Sequence, residues 1–183
     1  MRLTIAFATA LALAAPVFAQ DTPETTGWAT PEISDDISAL PEPVQAKRQA
    51  LMDAARSGDF DALKPIIDAQ DKPPNVSFGD PDDALAYLKG ASQDEDGRQI
   101  LGLLLDLFDQ PYAFYPDSGG VTYYIWPYLA EIDPNTLTPA QQVDAYRLLN
   151  REQIEELKEM GAWYYWRTLI SESGDWSAFV AGD

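Results

Sequence analysis

Hydrophobic positions in the first half of the chain recur at helical spacing. Val44, Leu51, Met52 and Ala55 fall on one face of a helix, and Gly58 follows them as a natural helix C-cap. Asp59 can cap a second helix, whose apolar stripe runs from Phe60 to Ile67. The pattern therefore predicts two short helices joined at residues 57–59.

Two further helices are predicted in the next segment. Asp80 stands at an N-cap position, Pro81 at the first helical position, and Gly90 closes the pattern. The following helix begins near the acidic stretch 94–96, whose charge suits the positive end of a helix dipole. This helix is apolar on nearly every side as far as Phe108, so we expect it to be the buried centre of the domain.

The pattern then changes to strands and turns. "YAFY" and "VTYYIW" flank the turn formers "PDSGG", which is typical of a β-hairpin. Two more helices follow, one starting at Thr138 with Gln141 as its capping-box partner, and one ending at Gly161. "AWYYWRTLIS" and "DWSAFVAG" then predict a second hairpin. The predicted fold class is α+β, with a helical N-terminal half packed on a small antiparallel sheet of about four strands, built from two aromatic-rich hairpins.

Both faces of this predicted sheet are apolar. Side chains alternate along a strand, so Tyr124, Trp126 and Tyr128 are expected to share one face. The sheet is then either covered on both sides or exposes an aromatic platform on one side. The helix around Leu103 can cover one face and the helix carrying Tyr146 the other, and the preference of aromatic residues for packed strands favours the covered arrangement.

The first residues have the pattern of an export signal. Arg2 precedes the apolar run Leu3–Ala15, which is shorter than the roughly 20 residues that a membrane-spanning helix needs. The small residue Ala19 predicts cleavage before Gln20. We therefore predict a signal peptide over 1–19, a periplasmic or secreted location in a bacterium, and no membrane insertion after signal removal.

The rest of the chain divides into a leader and one domain. Residues 20–42 carry three prolines and many small polar residues with little apolar periodicity, which predicts a flexible leader. Residues 43–183 are long enough to form a single domain with its own core.

Charge and composition exclude several classes of function. The formal net charge is −18, so the surface repels phosphate backbones and anionic lipids, and we expect no nucleic-acid partner. The chain has no His and no Cys, which excludes Ser-His-Asp and Cys-His catalysis, the usual zinc sites, His-held haem and iron–sulfur clusters. No glycine-rich nucleotide motif is present, and we predict no cofactor.

One acidic stretch partly matches a calcium-binding loop. Asp94, Asp96 and Gly97 occupy the third, fifth and sixth positions of an EF-hand. Ser92 stands at the first position, however, and Leu103 stands where the bidentate Glu belongs. We therefore predict no metal site and interpret the acids as part of a helix N-terminus.

Two carboxylates next to the first hairpin form the catalytic alternative. Glycan hydrolysis by a pair of carboxyl groups needs neither His nor Cys. Glu131 is the candidate acid, and Asp133, Asp117 or Asp175 its candidate partner. A Glu that follows a strand is more often a solvated loop residue, so the chain is interpreted first as a non-enzymatic protein.

The aromatic clusters provide the other candidate site. Eight aromatic residues lie between 108 and 128 and six between 163 and 179. An Arg inside an aromatic strand needs a carboxylate or a ring as its partner, and Glu131, Asp175 and the C-terminal Asp183 are the candidate partners of Arg167. The predicted ligand-binding residues are Tyr124, Trp126, Tyr128 and Arg167.

Four phrases in the chain carry a resemblance to a known family. They are "YYIWPYLAEID", "LTPAQQVDAYRLL", "MGAWYYWRTLIS" and the closing "GDWSAFVAGD". With these phrases the chain resembles a family of small exported bacterial proteins without an assigned activity. The resemblance implies an intact domain that ends at its natural C-terminus, and it supplies no catalytic residue.

Together these observations predict an exported envelope protein. The first hypothesis is a non-enzymatic binding module with an aromatic recognition surface for a glycan or an envelope protein. The alternatives are a carboxylate-dependent glycan hydrolase, such as one acting on peptidoglycan, and an accessory subunit of an envelope assembly.

Overall fold

A computed structural model describes residues 30–79, 81–116 and 119–182. Its helices are α1 (Glu42–Ser57), α2 (Lys64–Asp68), α3 (Ala84–Ala91), α4 (Arg98–Phe108), α5 (Pro139–Leu148) and α6 (Arg151–Met160). Its strands are β1 (Glu32–Ser34), β2 (Tyr112–Phe114), β3 (Tyr123–Trp126), β4 (Arg167–Ser171) and β5 (Trp176–Val180). The predicted α+β fold class is confirmed, with most helices in the first half and most strands in the second.

The five strands form one antiparallel sheet in the order β1-β2-β3-β4-β5. Both predicted hairpins are present, and β3 also pairs with β4, so that Tyr124 lies opposite Ile170. A register shift between Leu169 and Ile170 marks a bulge in the second hairpin. β1 and β5 are the two edges of the sheet.

The part of the predicted leader that the structure describes belongs to the folded domain. Residues 32–34 form β1 against β2, and Leu40 is buried. The hydroxyl of Tyr112 donates to the backbone oxygen of Asp36 at 3.1 Å. A three-residue strand is too short to show alternation, and its pairing with β2 is a non-local contact, so the sequence pattern gave no sign of it. Residues 20–29 and the predicted signal peptide lie outside the described residues.

The helix ends follow local sequence signals closely. Gly58 and Gly161 end α1 and α6 in the left-handed conformation, and Thr138 forms the predicted capping box at the start of α5. The start of α3 differs from the prediction, because the side chain of Asp83 accepts from the backbone N–H of Ala86 and makes Asp83 the N-cap. The predicted cap, Asp80, lies outside the described residues.

The main core lies between one face of the sheet and helices α1 and α4. As predicted, α4 is the central helix, and it buries Ile100, Leu101, Leu104, Leu107 and Phe108. The sheet contributes Trp126, Ile170, Trp176 and Phe179 to this core. Burial of these large side chains is the main source of stability in a chain that has no disulfide.

A second, smaller core lies on the side of the sheet that carries Ala113. The buried members from α5 and α6 are Ala145, Ile154 and Leu157. Helix α5 covers this face as expected, but not through its larger apolar side chains, because Val143 and Tyr146 point to solvent. Helix α5 buries the small Ala145 instead, a choice that hydrophobicity alone does not reveal.

The second hairpin is shorter than its aromatic sequence predicts. Strand β4 begins at Arg167, and residues 162–166 form an irregular segment. Trp163 points into the second core, while Trp166 packs against Phe179 of the main core with ring centroids 4.8 Å apart. Side chains over 163–166 do not alternate as they would in a strand, because the neighbours Tyr164 and Tyr165 stack on each other with ring centroids 4.7 Å apart and both pack against the second core.

Candidate functional site

Trp126 is a core residue and does not form a recognition surface. Its side chain is 0% exposed, and its ring meets Phe108 and Tyr112 with centroids 5.2 and 5.5 Å apart. A ligand would reach this ring only if α4 moved away. The covered arrangement favoured by the sequence is confirmed here, and the proposed ligand role of Trp126 is corrected.

Tyr128 is also buried, but in the second core rather than beside Trp126. Strand β3 ends at Trp126, and Tyr128 begins a 3₁₀ turn after a cis Pro127. The Tyr128 side chain is 4% exposed, and its hydroxyl donates to Asp144 Oδ2 at 2.8 Å. The expectation that Tyr128 shares a face with Tyr124 and Trp126 is wrong, because the strand stops before it.

Tyr124 lies at the margin of the main core. Its ring packs against Tyr112 and Phe114 with centroids 5.8 and 5.4 Å apart, and burial raises the pKa of its hydroxyl. The side chain is half-buried. Tyr124 thus closes the core and offers little ring surface to a ligand.

The structure brings Glu131, Asp133 and Arg167 together at one cleft. The cleft has a volume of about 1000 Å³, and Trp163 and Ile132 also line it. The sequence analysis names Glu131 and Asp133 as the catalytic alternative and Glu131 as one candidate partner of Arg167, and all three residues line this cleft. Each of them, however, already serves the local structure.

The hydrogen bonds of the three residues define that structural role. Glu131 Oε2 accepts from the Tyr115 hydroxyl at 2.6 Å, and Asp133 Oδ1 caps its own turn by accepting from the Asn135 N–H at 2.9 Å. Arg167 Nη1 donates to the backbone oxygens of Trp163 and Gly182 at 3.3 and 3.4 Å. The cleft therefore holds charges whose bonds stabilise the surrounding loops.

The expected ion pair of Arg167 is not seen among the described residues. Neither Glu131 nor Asp175 comes within 4.0 Å of its guanidinium, and Asp183 lies outside the described residues. Arg167 is instead held by backbone carbonyls at the end of the domain.

A separate groove lies where three parts of the chain meet. Its volume is about 680 Å³, within the roughly 300–1000 Å³ typical of small-molecule sites. Its lining comes from the Pro-rich segment 70–76, here called the Pro-rich wall, with Pro81 and Ala84 after it, from Val121 and Tyr123, and from residues around the β4–β5 turn. None of the ligand-binding residues predicted from the sequence lines this groove.

Hydrogen bonds to β5 hold the Pro-rich wall in place. The N–H of Asn75 donates to the oxygen of Ser177 at 2.9 Å, and the N–H of Phe179 donates to the oxygen of Asn75 at 2.8 Å. The side chain of Gln70 bonds both the N–H and the oxygen of Trp176, at 3.1 and 2.9 Å. Segment 70–76 therefore lies along the edge strand as a fixed wall.

The β4–β5 turn is rigid and rich in hydroxyl groups. Ser171 Oγ and Ser173 Oγ are 2.8 Å apart, and Ser173 donates to Asp175 Oδ2 at 2.8 Å. The N–H of Asp175 donates in turn to Ser171 Oγ at 3.1 Å. Gly174 has φ +89° and packs against Pro43 in the first turn of α1, which anchors the β4–β5 turn to the domain.

Tyr123 is the aromatic side chain that the groove exposes. It lies opposite Ser171 in the sheet, and its side chain is 41% exposed. Alternation along β3 places Tyr123 on the face opposite Trp126, as the sequence predicts. The sequence did not identify the residue as a site, because the groove depends on the distant segment 70–76 packing beside it.

Two tyrosines that are hydrogen-bonded to carboxylates predict how stability responds to alkaline pH. Burial, and hydrogen bonds to Glu131 and Asp144, raise the pKa values of the Tyr115 and Tyr128 hydroxyls above the ordinary value of 10.0. The unfolded chain then ionises first, so the stability due to these groups is complete below pH 10 and is lost as pH rises further. When the free energy of unfolding is measured with urea between pH 8 and 11.5, it should fall less steeply with rising pH for Tyr128→Phe than for the unaltered chain. Equal slopes would contradict the raised pKa, and Tyr146→Phe on the surface is the matched control.

Comparisons with known proteins found no match: no family model, curated protein or solved structure is similar to this chain. Within 30–79, 81–116 and 119–182, no group of three acidic, His or Cys side chains could hold a metal ion. No helix in these ranges is long and apolar enough to cross a membrane.

Proposed function

We propose that this chain is an exported, non-enzymatic binding module of a bacterial envelope, and that the groove beside Tyr123 is its ligand site. One observation carries the proposal: an exposed aromatic ring and a hydrogen-bonded polar turn line one groove of ligand size. The N-terminal sequence supports export, and the acidic surface favours a neutral or basic ligand.

The groove supports this function better than the cleft at Glu131. In the cleft both named carboxylates and Arg167 bond the surrounding loops. In the groove the turn is fixed by bonds among its own residues, while Tyr123 remains exposed. Because this polar turn is already ordered, ligand binding beside the ring does not require the conformational-entropy cost of ordering a loop.

Fewer observations support the two alternative functions, the glycan hydrolase and the accessory subunit. A glycan hydrolase would use Glu131 and Asp133, which lie in one cleft but take part in local bonds. An accessory subunit would use the exposed Val143 and Tyr146, which stand one turn apart on α5. Both remain proposals, and the groove is favoured because it combines a concave shape and polar groups with an exposed aromatic ring.

A thermal-shift panel tests the proposed function. The purified chain is heated with neutral oligosaccharides, muropeptides, peptidoglycan stem peptides and Lys-rich peptides in separate wells. We expect one of these classes to raise the Tm, because a ligand that binds only the folded chain stabilises it. Tyr123→Ala should remove that rise, while Tyr146→Ala, which alters an exposed tyrosine of α5 outside the groove, should keep it. No rise with any class, or a rise that survives Tyr123→Ala, would count against the groove.

A further inference from the structure

The groove does not offer its strand edge to a peptide. On the side of β5 facing the Pro-rich wall, the oxygen of Ser177 and the N–H of Phe179 are bonded to Asn75, and both backbone groups of Trp176 are bonded to Gln70. A peptide that adds a strand to a sheet needs such backbone groups unpaired. Recognition in this groove must therefore use side chains.

Several side-chain atoms at the groove have no hydrogen-bond partner among the described residues. They include the Tyr123 hydroxyl, Asp175 Oδ1 and Asn75 Nδ2. Asp175 Oδ2 and Asn75 Oδ1 are occupied by Ser173 and by the N–H of Ser77, so both planar groups are held in orientation. The groove thus presents one ring, one fixed acceptor and one fixed donor.

The charges that line the groove limit the classes of ligand that it can bind. Asp71 and Asp175 line it against a single cation, Lys72, and the whole chain has a net charge of −18. An anionic ligand would meet two carboxylates and an acidic protein, which lowers its local concentration. A ligand with many hydroxyl groups and no negative charge is the best match.

Resting on the proposed function, we propose that the groove binds a neutral saccharide. One sugar ring lies against the exposed face of Tyr123, since the apolar face of a pyranose packs well on an aromatic ring. Asp175 Oδ1 accepts from sugar hydroxyls, and Asn75 Nδ2 donates to a hydroxyl or an N-acetyl oxygen. The hydrogen-bonded Ser171–Ser173–Asp175 turn keeps the carboxylate in place before the ligand arrives.

Isothermal titration with four probes tests this ligand class. Triacetylchitotriose and cellotriose are neutral trisaccharides with and without N-acetyl groups, trigalacturonate is an anionic trisaccharide, and a Lys-containing stem pentapeptide represents peptides. We expect at least one neutral trisaccharide to bind and trigalacturonate to bind at least tenfold more weakly. A sedimentation assay with intact peptidoglycan sacculi then distinguishes a wall-bound source from a free saccharide.

Substitutions of groove residues test whether the saccharide binds in the groove. Tyr123→Ala should lower the affinity for the neutral trisaccharide about tenfold, the equivalent of roughly 1.4 kcal/mol. Tyr123→Phe should keep most of the affinity because the ring remains, and Asp175→Asn should weaken binding at least threefold. Tyr146→Ala is the matched control and should bind like the unaltered chain. Circular dichroism of each variant checks that the fold is retained.

The outcomes separate this inference from the proposed function. If only the pentapeptide binds, and its binding depends on Tyr123, the proposal of a saccharide ligand is wrong. The proposal that the groove is the ligand site then still holds. Stronger binding of trigalacturonate than of both neutral sugars would also overturn the proposal of a neutral saccharide. Saccharide binding that is unchanged in Tyr123→Ala would overturn the assignment to this groove. If none of the four probes binds, the proposal of a saccharide ligand is wrong. The thermal-shift panel then tests whether the groove is a ligand site at all.

Discussion

Replacing Trp126 by alanine is expected to lower the free energy of unfolding by about 3–5 kcal/mol, the range for removing a large buried aromatic. The ring is fully buried between α4 and the sheet, against Phe108 and Tyr112. Its removal leaves a cavity that the surrounding helices and strands cannot close. Urea unfolding followed by circular dichroism measures the change.

Two further variants show whether that loss reflects packing. Trp126→Phe should cost less than the alanine variant, because it keeps a ring and removes an indole N–H that has no partner among the described residues. Tyr123→Ala, three positions earlier, should cost under about 1 kcal/mol because its ring faces solvent. A Trp126→Ala variant as stable as Tyr123→Ala would show that Trp126 is not a core residue.

Gly174→Ala is expected to destabilise the protein by about 2–5 kcal/mol and to disturb the groove. The residue has φ +89°, and an added Cβ would lie 2.8 Å from both the Cβ and the backbone oxygen of Pro43. The backbone of Pro43 is fixed at the start of α1, so the turn must move instead. Because Asp175 belongs to this turn, ligand affinity should fall together with stability.

Gly161→Ala is the matched control for Gly174→Ala. Gly161 also has a positive φ, +71°, but an added Cβ meets no atom within 4 Å. Its substitution should therefore cost only the backbone strain, about 1–2 kcal/mol, and should leave ligand binding intact. Equal losses for the two variants, measured by urea unfolding, would show that the contact with Pro43 contributes nothing.

The features that sequence predicted well depend on neighbouring residues. The capping box of Thr138 and the glycine that ends α6 are fixed within one helical turn, and the structure shows both. The two hairpins and the apolar α4 follow from short periodic patterns. These local signals were enough to predict the α+β fold class.

The features that sequence missed depend on contacts between distant segments. The apolar Ile33 suggests that the leader attaches to the domain, but the neighbouring sequence shows neither that residues 32–34 pair with β2 nor that Asn75 bonds β5. Burial of Ala145 in place of Tyr146 likewise depends on which elements pack against α5.

The candidate site illustrates the same limit. Aromatic density pointed to Trp126 and Tyr128, yet the largest rings are the ones that two cores bury. The ring left exposed at the groove, Tyr123, has no distinguishing feature in the sequence beyond its position in the alternation. Its importance depends on the wall at 70–76, which only the folded chain brings alongside.

Backbone amide NMR during a titration with triacetylchitotriose tests the central claim most directly. If the groove beside Tyr123 is the ligand site, the largest chemical-shift changes will fall on Tyr123, Ser173, Asp175 and Asn75. The amides of Glu131 and Asp133 will stay unchanged. Shift changes that gather at Glu131, Asp133 and Arg167, with the groove unaffected, would contradict the claim and return the site to the cleft that the sequence first suggested.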